Sequence, residues 1–275
     1  MGTEWESGQN PACSDNLFHG RIRCCLRVRT DEAAGLSSGM TNGMENGIRP
    51  LAAADLEGFR ALLLDFDGVL ADSELLYHES WNVALSKWGV QIPEEEYLLH
   101  WTSLGEGLKG HLARHPDLEA RVDPVEASSI QKSVYASFCG SGRIGLMDGA
   151  AGVLDELSTG AFAGRCAIAS NTDESLIRSI IAAAGASPPI PVVGGAGLPK
   201  KPMPDIFLRA ASLLGSGPDE TLVFEDAWKG LEAATRGGFR SVLVRSRLNR
   251  DFDLTAGYAL EGIGALLPML RELRR

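Results

Sequence analysis

Long apolar runs and disulfide-type cysteine patterns are both missing from this sequence. No apolar stretch approaches the roughly 20 residues that a membrane-spanning helix needs, so we expect no membrane partner. The five cysteines are odd in number and form no Cys-x-x-Cys pair. This pattern favours free thiols in a reducing compartment, and we therefore expect a cytoplasmic protein.

Positive charge is also scarce. The sequence has 26 Lys and Arg against 36 Asp and Glu, a formal net charge of -10, which disfavours nucleic acids and acidic membrane surfaces as partners. Phosphorylated substrates stay compatible, because a bound metal ion can make a site locally positive. The 275 residues, 44% hydrophobic and 23% charged, suit one large domain plus a small one, and we expect a monomer.

Residues 1–57 show no sustained periodicity and are rich in Gly, Ser, Asn and Thr. This composition predicts a disordered or poorly ordered N-terminal extension. Acidic residues such as Glu4, Glu6 and Asp15 are unusual in a transit peptide, whereas arginines such as Arg21 leave a plastid address open as the alternative.

The stretch from Ala61 to Glu74, ALLLDFDGVLADSE, organises the rest of the chain. Its four apolar residues predict a strand that is buried on both faces of a parallel sheet. Asp65 and Asp67 follow on the same side of an extended backbone, and Gly68 permits a sharp turn. Two carboxylates this close favour a bound Mg²⁺, although Asp and Gly are also ordinary turn residues.

The longer signature DFDGVLADSE resembles the first motif of the haloacid dehalogenase superfamily, in the branch of phosphatases and β-phosphoglucomutase-like enzymes with a small helical cap. The resemblance implies that Asp65 is the nucleophile that becomes an aspartyl-phosphate and that Asp67 is the general acid and base. It also makes Glu74, the last residue of the signature, a substrate-binding candidate.

The pattern beyond Glu74 is helical to about Leu146 and then alternates between strands and helices. We expect an α/β fold, with a Rossmann-like three-layer parallel-sheet core from 58–73 and 147–275 and an inserted all-helical cap from 74–146. Predicted strands cover 61–64, 166–169, 190–193, 221–224, 241–244 and 258–260. Predicted core helices cover 150–157, 173–184, 204–214, 227–236 and 263–274.

Polar residues follow these predicted strands one after another, where an open parallel sheet binds its ligands. Ser170 can donate its hydroxyl to a phosphoryl oxygen, and the backbone at Asn171 opens a helix that suits an anion. Lys201 offers a point charge, and Glu225 and Asp226 offer carboxylate oxygens to Mg²⁺.

The same resemblance covers about 60–270, through IASNT, KKPMPDIF and VFEDAWKGLEAA. It implies catalytic roles for Asp65, Asp67 and Lys201, which it selects over Lys200, and substrate binding by Ser170 and Asn171. The implied ligands of the Mg²⁺ ion are Asp65, Asp67, Glu225 and Asp226. Ala227 departs from the usual Ser or Thr of the last motif.

The predicted function is a Mg²⁺-dependent phosphatase acting on a small phosphorylated metabolite, a sugar or polyol phosphate. The alternative is a sugar-phosphate mutase of the β-phosphoglucomutase type, in which a His would stand where this chain has Tyr77. A non-enzymatic phospho-accepting or metabolite-sensing module fits less well, because such modules lack the helical insert. We expect specificity to come from the cap segment WTSLGEGLK, 101–109.

Overall fold

The computed structural model of the protein describes residues 48–250 and 252–274. Within them seven strands form one sheet in the order β1-β7-β6-β5-β2-β3-β4, and every neighbouring pair is parallel. The strands are β1 Arg49–Pro50, β2 Ala61–Leu64, β3 Cys166–Ala169, β4 Val192–Val193, β5 Thr221–Glu225, β6 Arg240–Arg245 and β7 Tyr258–Glu261. The expected α/β class is confirmed.

Helices cover both faces of this sheet. The core helices are α1 Ala53–Leu56, α7 Ala150–Thr159, α8 Glu174–Ala183, α9 Asp205–Leu213, α10 Trp228–Arg236 and α11 Leu266–Glu272. Along β2, Leu62 and Leu64 pack among residues of α7, α8 and α11, whereas Leu63 packs among residues of α9 and α10. The apolar run of β2 therefore has no solvent-facing side, as a central parallel strand requires.

The cap lies between β2 and α7. Its helices are α2 Glu74–Leu85, α3 Glu94–Glu96, α4 Gly107–Arg114, α5 Pro116–Glu119 and α6 Pro124–Gly140, with a π-helical segment at Tyr97–Ser103. A separate apolar cluster, including Trp81, Tyr97 and Trp101, packs these helices together. None of the described helices is long and apolar enough to cross a membrane.

Two neighbouring chain segments, 70–72 and 145–147, connect the cap to the sheet, and we call them the hinge. The backbone N–H of Asp72 donates to Gly145 O at 3.0 Å, and that of Met147 donates to Leu70 O at 2.9 Å. The chain therefore leaves and re-enters the core at adjacent points.

The start of the folded core differs from the sequence prediction. Residues 1–47 of the expected extension lie outside the described residues, but 48–57 belong to the core. β1 pairs with β7, and Ile48, Leu51 and Leu56 are buried. A two-residue strand is too short to produce a period in the sequence, so the pattern gave no sign of it.

Strand β4 is shorter than predicted. The expected strand began at Ile190, whereas β4 covers Val192–Val193. Pro191 lies inside the predicted span, and because proline has no N–H to donate to a ladder, the pairing is shortened at this edge of the sheet.

Candidate active site

Three central strands of the sheet bring their carboxyl ends together. Asp65 follows β2, Ser170 follows β3, and Glu225 ends β5. The registers of β2 with β3 and with β5 hold these ends level, and the backbone N–H of Asp65 donates to Phe224 O at 2.9 Å. Polar side chains far apart in sequence therefore share one edge of the sheet.

Lys201 lies at the centre of this edge. Its Nζ donates to Asp65 Oδ1 at 2.6 Å, to Glu225 Oε1 at 2.7 Å and to the carbonyl of Ala169 at 2.9 Å. Asn171 Oδ1 accepts from the backbone N–H of Lys201 at 2.9 Å and holds the loop in place. Although burial lowers the pKa of Lys201, the two carboxylates raise it overall, so this lysine stays charged.

Asp65, Glu225 and Asp226 offer carboxylate oxygens that lie within 4.8 Å of one another. Burial, and next the charge of Glu225, raises the pKa of Asp65 to about 7 despite Lys201. Burial and the charges of Glu225 and Asp65 also raise the pKa of Asp226 well above its ordinary value. Because the negative charges in this cluster disfavour ionisation of its carboxyl groups, the cluster fits a divalent, oxygen-seeking cation such as Mg²⁺.

Two glycines make room for these carboxylates. A Cβ on Gly68, whose φ is 78°, would lie 2.1 Å from Asp226 Oδ2. A Cβ on Gly230 would lie 1.8 Å from Glu225 Oε1. The turn after β2 and the first turn of α10 therefore approach the cluster more closely than a side chain would allow.

The carboxylate of Asp67 points to a different set of partners. Ser73 Oγ donates to its Oδ1 at 2.6 Å, and Tyr135 OH lies 3.5 Å from the same oxygen. Ser170 Oγ and Thr172 Oγ1 donate to Oδ2 at 3.1 and 2.7 Å. The structure thus does not place this carboxylate, an expected Mg²⁺ ligand, in the cluster of Asp65, Glu225 and Asp226, because hydroxyl groups hold it elsewhere.

A cavity of about 360 Å³ opens between the strand ends and the cap. From the core, its lining includes Asp65, Asp67, Ser170, Asn171, Thr172, Lys200, Lys201, Glu225, Asp226 and Lys229. From the cap, its lining includes Glu74, Tyr77, Trp81, Tyr97, Trp101, Thr102, Gly105 and Gly107. Glu74 accepts from Tyr97 OH at 2.9 Å and from Thr102 Oγ1 at 2.5 Å, so cap residues fix it at this wall.

Sequence reasoning did not single out Ser73, Thr172 or Tyr135. Ser73 and Thr172 stand inside the motifs DFDGVLADSE and IASNT, and their position in these motifs could have identified them. Tyr135 lies on α6, far along the chain, and only tertiary packing brings it to Asp67. Lys200 lines the cavity but is exposed, and Lys201 is the buried lysine.

Comparisons with known proteins find a matching family and several relatives. The haloacid dehalogenase-like hydrolase family matches residues 59–238. CbbY of Rhodobacter capsulatus is 31% identical over 212 residues, which is 72% of this chain and 90% of that protein. β-Phosphoglucomutase of Mycobacterium tuberculosis is 52% identical, but over only 50 residues, 18% of this chain and 19% of that protein.

Solved structures of CbbY from Rhodobacter sphaeroides are also similar. The complex with phosphate has a TM-score of 0.64 at 26% identity, and covers 78% of this chain and 99% of that one. The complex with xylulose-1,5-bisphosphate has a TM-score of 0.63 at 26% identity, and covers 77% and 99%.

Proposed function

We propose, from the premise that the chain belongs to the haloacid dehalogenase-like hydrolases and is a phosphatase among them, that it hydrolyses a small phosphorylated sugar or polyol through an aspartyl-phosphate on Asp65. The observation that carries the proposal is the buried ion pair of Lys201 with Asp65, with the hydroxyl-bound carboxylate of Asp67 beside the same cavity.

In the first step, Asp65 attacks phosphorus and the bond to the leaving oxygen breaks. Lys201 fixes one carboxylate oxygen of Asp65 at 2.6 Å, and the other oxygen forms the new bond. Asp67 gives its proton to the leaving alcohol, and the hydroxyls of Ser73 and Thr172 hold it in position for that transfer.

In the second step, water attacks the phosphorus of the aspartyl-phosphate. Asp67 takes a proton from that water, phosphate leaves and the carboxylate of Asp65 is restored. We propose that Asp65, Glu225 and Asp226 hold Mg²⁺, which when bound would offset the negative charge of the phosphoryl oxygens. Lys201 lowers the repulsion between Asp65 and an incoming phosphate.

The cavity supports a small metabolite as substrate. Its volume of about 360 Å³ suits a molecule of that size. Tyr77, Trp81 and Trp101 present aromatic surface to the leaving group, and Glu74 and Thr102 can accept or donate hydrogen bonds to hydroxyls. Lys200 and Lys229 also line the cavity, and the CbbY complex with xylulose-1,5-bisphosphate favours including sugar bisphosphates in the proposed class.

The nucleophile is tested with Asp65→Asn, which removes the attacking carboxylate at nearly constant shape. We expect kcat to fall at least about 1,000-fold while the circular dichroism spectrum is unchanged. Asp155→Asn, an exposed aspartate on α7, is the matched control and should keep full activity. Acid quenching of the wild type should trap phosphate bound to Asp65. Substantial turnover by the Asn variant would overturn the assignment.

The substrate class and the metal are tested by phosphate release from a panel of pentose, hexose and polyol mono- and bisphosphates. We expect activity to depend on added Mg²⁺ and to be stopped reversibly by a chelator. Full activity in excess chelator would contradict the metal proposal without affecting the role of Asp65.

We also propose that the enzyme works as a monomer in the cytoplasm, which sedimentation and localisation of the tagged chain would check.

A further inference from the structure

A second group of potential metal ligands lies in the cap, away from the strand ends. Glu96, His111 and His115 each offer one ligand atom, and these atoms lie within 4.8 Å of one another. We propose that this group, the cap triad, binds a transition-metal ion of the Zn²⁺ class and thereby fixes the cap wall of the active-site cavity.

The geometry of the cap triad is close to a coordination shell. His111 Nδ1 lies 2.9 Å from Glu96 Oε1, and His115 Nε2 lies 3.3 Å from the same oxygen. Ligands about 2.0–2.2 Å from a tetrahedral Zn²⁺ are themselves about 3.3 Å apart. Small side-chain shifts would therefore accommodate the ion.

His111 lies on α4, and His115 directly follows the last residue of that helix. His111 and His115 are four residues apart, and this spacing places them on the same side of a helical turn, with ring centroids 4.7 Å apart. His111 is buried, and Glu96 is its hydrogen-bond partner, while its Nε2 makes no hydrogen bond within the described residues. His115 is half-exposed and gives an ion a route from solvent.

Arg114 is a cation that would compete with a metal ion for Glu96. Its Nη2 donates to Glu96 Oε1 at 3.0 Å, and its Nη1 pairs with Glu106. Because Glu106 is a second partner for this guanidinium, the contact with Glu96 can be given up when an ion binds. Two carboxylates against one arginine leave a local negative charge that favours a dication.

The cap triad is linked to the cavity by one short segment. Glu96 directly precedes the π-helical segment Tyr97–Ser103, which supplies Trp101 and Thr102 to the cavity wall. The rings of Trp101 and His111 lie 5.8 Å apart. An ion held by the cap triad would therefore tie this wall to α4 and restrict its movement.

The experiment measures binding of Zn²⁺ to the full chain by calorimetry, with Mg²⁺ in excess to occupy the all-oxygen centre. Co²⁺ serves as the spectroscopic probe, because tetrahedral Co²⁺ gives intense ligand-field absorption. We expect the wild type to bind Zn²⁺ and to show the tetrahedral Co²⁺ spectrum. Glu96→Gln and His115→Ala should each weaken binding at least about tenfold, and the exposed Glu95→Gln should leave it unchanged.

Two further readouts keep the proposal falsifiable. Zn²⁺ should raise the thermal midpoint of the wild type but not of His115→Ala. Because the side chain of His115 is half-exposed, we expect this variant to fold, which circular dichroism checks. Arg114→Ala should tighten Zn²⁺ binding. Equal binding by the wild type and His115→Ala would overturn the proposal, as would weaker binding by Arg114→Ala. Phosphatase activity enters neither readout, so this test and that of Asp65 fail independently.

Discussion

Hydroxyl groups converge on the carboxylate of Asp67. Ser73, Ser170 and Thr172 donate to it, and Tyr135 lies 3.5 Å away. A carboxylate that accepts several hydrogen bonds is held in one orientation, because turning it would break all of them. These residues thus act as positioning residues for the carboxylate that we propose moves the proton.

Thr172→Val tests this positioning at a single atom. The change keeps the shape of the side chain but removes the donor 2.7 Å from Asp67 Oδ2. We expect kcat to fall about 10- to 100-fold with little change in KM, because proton transfer depends on alignment.

The matched control is Thr235→Val, whose hydroxyl donates to the carbonyl of Leu231 within α10. It should keep the kcat of the wild type. A Thr172→Val enzyme as active as this control would show that the hydroxyl does not matter for turnover.

At the residue scale, the sequence predicted charged groups better than hydroxyls. Asp65 and Lys201 stand in recognisable motifs, and charged residues have few purely structural roles at strand ends. In the structure, Lys201 Nζ lies 2.6 Å from Asp65 Oδ1. Ser and Thr beside a strand end are common as helix caps, so nothing in the pattern separated Thr172 from an ordinary cap. The orientation of Asp67 depends on these hydroxyls, and the sequence therefore could not show it.

At the element scale, the turn after β2 and the loop before α10 must approach each other closely. Gly68→Ala would place a methyl group against Asp226 at a positive φ. We expect kcat/KM to fall at least about 100-fold and the Mg²⁺ requirement to rise, because a displaced Asp226 weakens the carboxylate cluster.

Gly164→Ala is the matched control, because it introduces the same backbone strain without a steric clash. Gly164 also has a positive φ, 71°, but a Cβ there meets nothing within 4 Å. We expect both variants to lose about 1–2 kcal/mol of unfolding free energy, and only Gly68→Ala to lose activity. Equal activity of the two variants would show that the close approach of Gly68 to Asp226 does not matter for turnover.

The first strand and helix of the core supply a second prediction at this scale. Chains that begin at residue 47 and at residue 58 differ by a segment that contains β1 and α1 and the buried side chains of Ile48, Leu51 and Leu56. Each such side chain contributes up to about 1.5–3 kcal/mol. We expect the shorter chain to unfold at least about 5 °C lower by calorimetry, and equal melting temperatures would contradict this.

The sequence predicted the central strands of four or five residues well and the two-residue edge strands poorly, for a physical reason. The prediction of 166–169 coincides with β3, and that of 221–224 lies within β5, because their apolar runs fill both faces of the sheet. β1 is held by its pairing with β7 and by burial of its neighbours. Such tertiary support leaves no periodic trace in two residues.

On the scale of the whole molecule, the proposed active-site cavity lies between the carboxyl ends of the strands and the cap. Trp81 and Tyr97 belong to an apolar cluster within the cap, whereas Tyr135 and Phe138 of α6 join the apolar cluster of the sheet and its helices. The residues proposed for catalysis line the core side of the cavity, and aromatic side chains line its cap side. Closure of the cap would therefore decide which molecules, water included, meet the proposed aspartyl-phosphate.

The fate of the phosphoryl group separates a phosphatase from a mutase. Tyr77 lines the cavity, and burial raises the pKa of its hydroxyl above the ordinary value, so it keeps its proton near neutral pH. It is therefore poorly suited to take up and release protons as a histidine would. We expect hexose 1-phosphates, where accepted, to release inorganic phosphate without a bisphosphate primer.

The measurement follows inorganic phosphate and hexose 6-phosphate together, with and without primer. Asp65→Asn provides the background for both products. Primer-dependent hexose 6-phosphate with negligible free phosphate would mean that the enzyme is a mutase.

The hinge has a consequence for how such a protein can change over generations. Because 70–72 and 145–147 are hydrogen-bonded neighbours, the cap can be lengthened, shortened or exchanged by recombination while the ends it must join stay at the same spacing. The cap residues proposed to contact the substrate and the core residues proposed to break the phosphate bond are thus inherited largely as separate blocks. Apart from Tyr135 and the other α6 residues that pack on the core, the 74–140 block can change under selection for a new metabolite without disturbing Asp65, Lys201 or the order of the strands.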